Sequence, residues 1–266
     1  MRLLFIGDIV GKPGRQLLKR AVAGLVQQQE IDLVVANVEN AAGGSGITPE
    51  TGAEVLAAGV AAMTSGNHIW DKREAIQYIG IEQRLVRPAN YPRGVPGHGS
   101  CIVHTTAGEP VGVLNLMGRV FMPNTDDPFQ VALAEIERLK AEASVILVDF
   151  HAEATSEKIA MGWHLDGRCT AVLGTHTHVQ TADNRVLPGG TAYITDVGMT
   201  GPHDSIIGVE KGAALGRFLN AMPARFDTAT GDPRLHAVIV TADPTTGRAA
   251  AIDRVSLTRA EIGDLP

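Results

Sequence analysis

The chain has 266 residues, 44% hydrophobic and 20% charged, with a formal net charge of -6. That length allows one large domain or two small ones with a real core, and the composition is globular and not disordered. The acidic balance disfavours a broad basic surface for DNA or long RNA, and aromatics at 4% disfavour a stacking platform for single strands.

A small anion still fits if a local positive centre, such as a metal, attracts it. Cys101 and Cys169 lack CxxC spacing and read as core thiols in a reducing compartment. The apolar run at the N-terminus is too short for a signal peptide. No stretch approaches the ~20 apolar residues of a membrane span, so a cytoplasmic protein is expected.

In chain order, Leu3 to Ile6 reads as a buried strand, followed by the turn Gly7-Asp8-Ile9-Val10-Gly11 and a helix opening near Pro13. Leu33 to Ala36 is a second strand, ending at Asn37-Val38-Glu39-Asn40, and Thr48-Pro49-Glu50 caps a helix. A third strand leads into Gly66-Asn67-His68, where the glycine is expected to turn the backbone sharply. The stretch 84–115 is irregular and proline-rich. Phe129 to Ala141 is helical, Ser144 to Phe150 is a strand delivering His151, and Thr155 to His164 is helical. Thr170 to Leu173 is a strand delivering His176-Thr177-His178. A helix lies near 209–220, and His236 to Thr241 pairs with Ala249 to Leu257 through a turn at 243–247. With no repeat or linker, residues 1–266 read as one domain, and the β-rich tail suggests a second sheet packed on the first.

Five predicted strands thus end in a metal-competent or acid/base group: Asp8, Glu39 with Asn40, Asn67 with His68, His151, and His176 with His178. Alone, each reads as a turn, a cap or a structural histidine. Together they are harder to assign to chance, because parallel strands bring their carboxyl ends together. In an extended segment residues two apart point the same way, which would send His176 and His178 into one cavity. Carboxylates, amide oxygens and imidazoles without a thiolate exceed one tetrahedral zinc and suit two octahedral first-row ions, iron or manganese. Such a centre would attract a phosphate.

The motifs Gly7-Asp8-Ile9-Val10-Gly11, Asn37-Val38-Glu39-Asn40, Thr64-Ser65-Gly66-Asn67-His68, Asn115-Leu116-Met117-Gly118-Arg119 and Thr195-Asp196-Val197-Gly198-Met199-Thr200-Gly201-Pro202 resemble the calcineurin-like metallophosphoesterases, and most closely their YmdB branch. The resemblance implies a four-layer α/β/β/α sandwich. It implies a dinuclear-metal phosphodiesterase acting on 2′,3′-cyclic nucleotides to give 3′-phosphates, by attack of a metal-bridging hydroxide. One metal would take Asp8, Glu39, Asn40 and His178; the other would take Glu39, Asn67, His151 and His176. His68 would remain as proton donor.

Three motifs depart from the superfamily pattern: Val10 replaces a histidine, Glu39-Asn40 replace an aspartate, and Ile69 replaces the acid that would orient His68, a part Asp71 could take. The implied cofactors are two metal ions, iron ahead of manganese. The implied partner is a small anionic phosphodiester, with no long nucleic acid and no membrane; a homo-oligomer is compatible. Arg119 is a candidate phosphate contact, weighed against an ion-paired surface arginine, and Asp196 reads as a turn residue. His98, His104, His164, His203 and His236 read as structural or surface groups. A phosphomonoesterase or nuclease could use the same metals, and a regulatory protein could use the same fold.

Overall fold

The computed structural model describes residues 1–266. Its first part runs β1 (Arg2–Ile6), β2 (Asp8–Ile9), α1 (Gly11–Gln28), β3 (Leu33–Asn37), α2 (Pro49–Ala57), β4 (Ala62–Thr64) and α3 (Arg73–Ile81). The middle holds β5 (Ser100–His104), β6 (Pro110–Met117), α4 (Pro128–Lys140), β7 (Val145–His151), α5 (Thr155–His164), β8 (Ala171–Thr175), β9 (Arg185–Val186) and β10 (Ala192–Ile194). The remainder is β11 (Met199–Pro202), α6 (Lys211–Asn220), β12 (Pro233–Ala242), β13 (Ala249–Thr258) and α7 (Arg259–Gly263). Thr48 caps α2 as its sequence suggests, with a reciprocal bond to Thr51.

Two sheets result. In the first, β1, β3 and β4 are parallel, and β12 lies antiparallel beside β1 with β13 on its other edge. In the second, β6, β7, β8 and β10 are parallel, flanked by antiparallel β5 and β9. The terminal hairpin therefore extends the first sheet, and the second sheet comes from residues 100–194, contrary to the expectation from the β-rich tail.

Side-chain alternation builds the layers. Along β1, Leu4 and Ile6 face Leu17, Leu18 and Leu25 of α1, while Leu3 and Phe5 face the other way into a core between the sheets. Val111, Val113, Leu147 and Leu173 fill that core from the second sheet. On the far side Leu114, Ile146 and Val148 pack on Ile136 and Leu139 of α4 and Met161 of α5. The four-layer α/β/β/α architecture implied by the resemblance is the one observed. It also corrects one premise. The strand ends that carry the candidate residues belong to two sheets, with β1, β3 and β4 on one side and β7 and β8 on the other.

Candidate metal centre

The two sheets bring the predicted residues to one place. Asp8, Glu39 and His151 are completely buried, and Asn40 nearly so. Ligand atoms of Glu39, His151 and His176 form one close triad, and those of Asp8, Glu39 and His178 form another, each within 4.8 Å. Glu39 is common to both. Asn67 joins the first triad, its Oδ1 standing 3.0 Å from His151 Nε2. Asn40 joins the second, its Nδ2 standing 3.1 Å from His178 Nε2 and 3.0 Å from Glu39 Oε1. Asn40 turns its amide nitrogen to that triad and its oxygen to His68, so direct ligation requires the opposite amide orientation.

The donor atoms fit cations on physical grounds. His151 Nε2 lies 3.1 Å from Glu39 Oε2, 3.0 Å from Asn67 Oδ1 and 3.1 Å from His176 Nδ1. One proton cannot satisfy three such lone pairs, whereas a metal ion can. Asp8 Oδ1 is buried with no hydrogen-bond partner at all, a costly arrangement for a lone carboxylate oxygen.

Outer contacts free the inward ring nitrogens. Thr175 Oγ1 donates to Asp149 Oδ1 at 2.6 Å, so it accepts from His151 Nδ1–H at 2.9 Å and leaves Nε2 with its lone pair. His178 Nδ1–H donates to the Ile207 carbonyl at 2.8 Å. His176 Nε2 pairs with Glu153 Oε2 at 3.0 Å. Asp149 is itself held by Asn37 Nδ2 at 2.8 Å, and Asn37 Oδ1 accepts from the Glu39 backbone N–H at 3.1 Å.

Charge follows this packing. Burial pushes the Asp8 carboxyl up against the pull of His178 and His151. Burial also opposes ionisation of Glu39, but His151 and His68 overcome it and hold that carboxyl well below its usual range. His151 is pushed down by burial and then raised by Glu39 to about 9. His176, disfavoured by burial and by the charge of His151, falls to about 3. Glu39 thus demands a positive partner at the His151 nitrogen.

His68 belongs to neither triad. Its Nδ1 is 2.9 Å from Asn40 Oδ1 and 3.4 Å from Glu39 Oε1. The hydrogen bond to Glu39 raises its pKa, against burial, and the charges of Glu39 and Asp71 add to this. Ile69 is fully buried in the core, and Asp71 is taken by the Ser45 hydroxyl. The orienting partners are therefore the Glu39-Asn40 pair.

Two local expectations change. Gly66 has an extended backbone (φ -164), which any residue adopts. Glycine is needed there because a Cβ would occupy the space of Glu39 Oε2 and the His151 ring. The segment His176-Thr177-His178 is not extended, since both histidines have left-handed φ values of 95 and 66. This costly turn is held through Thr177, whose N–H and hydroxyl both donate to Asp196 Oδ2, at 3.0 and 2.6 Å. Lys158 Nζ donates to the same oxygen at 2.8 Å, and the Gly198 N–H donates to Oδ1 at 2.7 Å. Asp196 holds the turn between the two histidines of the triads.

Asn37, Asp149, Glu153, Lys158 and Thr175 were not expected at the site. The one local signal was a polar group inside an apolar strand, as at Asp149 in β7. Arg119 pairs with Asp127 at 3.3 Å and lies outside the cavity over the cluster. None of His98, His104, His164, His203 and His236 belongs to either triad. Both cysteines are free thiols.

The sequence matches the YmdB-like protein family over residues 4–255. It is 48% identical, over 255 residues and 96% of each chain, to the 2′,3′-cyclic-nucleotide 2′-phosphodiesterase of Bacillus subtilis (strain 168). A crystal structure of a hypothetical protein from Thermus thermophilus superposes with a TM-score of 0.91 at 43% identity, covering 97% of this chain and 99% of that one. A Mycoplasma pneumoniae structure described as a novel phosphatase gives 0.90 at 34% identity, covering 97% and 93%.

Proposed function

The chain belongs to the YmdB-like protein family, and on that premise we propose that it is a dinuclear-metal phosphodiesterase acting on 2′,3′-cyclic nucleotides, breaking the bond from phosphorus to the 2′-oxygen and leaving the nucleoside 3′-phosphate. The observation that carries this reading is Glu39 shared between two ligand triads, with His68 beside them and outside both. Asp8, Glu39, Asn40 and His178 would hold one ion, and Glu39, Asn67, His151 and His176 the other, iron ahead of manganese. Two bound ions supply the charge that polarises the phosphoryl oxygens and activates a water as nucleophile.

The chain's own residues do the rest. Glu39 engages His68 Nδ1 whichever way the Asn40 amide is turned, so Nε2 is the nitrogen left to deliver a proton. The side chain is 36% exposed, on the wall of the cavity. Its raised pKa keeps it charged nearer neutral pH, as a general acid requires. The proton goes to the departing 2′-oxygen, a poor leaving group as an alkoxide. A small anionic substrate suits an acidic protein whose site supplies the positive charge locally. No helix is long and apolar enough to cross a membrane.

The test is metal analysis of anaerobically purified protein, then hydrolysis of a panel of cyclic, monoester and oligonucleotide substrates. About two ions per chain and 3′-phosphate as product are expected. His68→Ala should keep its metals and lose roughly 10²–10⁴-fold in rate. Full activity in that variant would remove the acid role, and preference for monoesters would overturn the phosphodiesterase reading.

A further inference from the structure

The cavity above Glu39 and His68 is far larger than a phosphate requires. It holds about 920 Å³ and runs from the metal centre onto a wall carrying Ile207, Arg217, Phe218 and Phe226. That size is typical of a pocket for a whole organic ligand. The wall is apolar and aromatic in a chain with few aromatics, and it is exposed: Phe226 at 41%, Ile207 at 53% and Phe218 at 81%. The Arg217 guanidinium lies over the Phe226 ring, 5.4 Å from its centroid, a cation–π contact that stiffens the ring's position.

The wall is tied to the metal centre. His178 donates from Nδ1 to the Ile207 carbonyl at 2.8 Å, so the residue that begins the wall also orients a candidate ligand histidine. The next residue, Gly208, is left-handed (φ +99), and a Cβ on it would meet Val10 Cγ1 at 2.9 Å. Val10 also lines the cavity. Its place in the first motif, where the superfamily carries a histidine, thus has a structural reason: an apolar side chain on which this loop closes.

We propose that this wall is the nucleobase subsite, with the base stacked on Phe226 and Phe218 while the cyclic phosphate lies over Glu39. The proposal rests on the phosphodiesterase reading and adds the part of the substrate held away from the reacting bond. Continuity of one cavity from metal ligands to exposed rings favours a ligand with an anionic end and a flat aromatic end. Stacking on a ring face accepts any base and favours the larger purines.

The test compares two probes on manganese-loaded protein by calorimetry, adenosine 3′-monophosphate and inorganic phosphate. Phe226→Ala should weaken the nucleotide about tenfold or more and leave phosphate unchanged, as loss of one stacking face implies. Phe218→Ser, at an exposed position where folding is insensitive, should act in the same direction. Equal affinity for the nucleotide in all three proteins would overturn the subsite, and so would equal weakening of both probes. Variants that change only the oligomeric state in size-exclusion chromatography would assign the wall to a second copy of the chain, also overturning it. Turnover of 2′,3′-cyclic AMP by the unsubstituted protein is measured separately. Its absence would defeat the phosphodiesterase reading, while the nucleotide-to-phosphate comparison would still decide the subsite.

Discussion

Breaking the Lys158–Asp196 pair should reach the metal centre from a distance. Both side chains are buried, at 1% and 0% exposure, and their atoms meet at 2.8 Å. Asp196 also receives the Thr177 N–H, the Thr177 hydroxyl and the Gly198 N–H. Removing one partner of a buried pair costs about 3–5 kcal/mol, because the other is left charged without compensation. Lys158→Met should fall at the lower end, since Asp196 keeps three donors. Asp196→Ala should fall at the upper end, since it leaves Lys158 only the Thr177 hydroxyl at 3.3 Å and strands the others.

The turn holding His176 and His178 then loosens, and metal affinity should fall about 10–100-fold, as for other outer contacts of ligand groups. Each tenfold loss removes about 1.4 kcal/mol from the stabilisation that metal confers at fixed concentration. Urea unfolding with and without manganese separates the parts. If Asp196→Ala lowers stability equally in both conditions, the pair is only structural and the positioning role is refuted. A variant as stable as the parent would refute the buried-pair cost itself.

Gly66→Ala should fold but bind metal poorly, since its methyl group takes the space of Glu39 and His151; metal content by mass spectrometry checks this. Thr175→Val removes the hydroxyl between His151 and Asp149 and should lower manganese affinity about 10-fold or more, whereas Thr175→Ser should retain it. His236, lowered to about 4 by burial and by its neighbour His203, gives an acid-side signature. Because its folded pKa lies below the unfolded value, its contribution is present above about pH 6.5 and is lost as pH falls through 4. It is on the order of 3 kcal/mol, so His236→Phe should flatten the decline in stability over that window relative to the parent.

Much of the chain was legible locally. Continuous apolar runs such as Leu33 to Ala36 and Val145 to Phe150 mark strands buried on both faces, and both are strands. Residues placed just beyond the five predicted strands, Asp8, Glu39, Asn67, His151, His176 and His178, do meet in space. Local pattern reaches this far because burial and turn chemistry are written residue by residue.

The tertiary structure alone decided which polar groups face each other. Asn37 meets Asp149 across 112 residues of chain, and Lys158 meets Asp196 across 38. Asp196 reads as a turn residue, with Gly198 two positions on; its partners come from α5 and from the loop after β8. Gly66 reads as a turn glycine, yet its reason is the carboxylate and imidazole that another strand and another sheet press against it. His68 lacked its acidic neighbour in sequence and gained Glu39 and Asn40 in space. Strand periodicity fixes which face is buried, but the packing of one sheet on another fixes which buried charges become partners. That packing depends on all the side chains of the inter-sheet core at once.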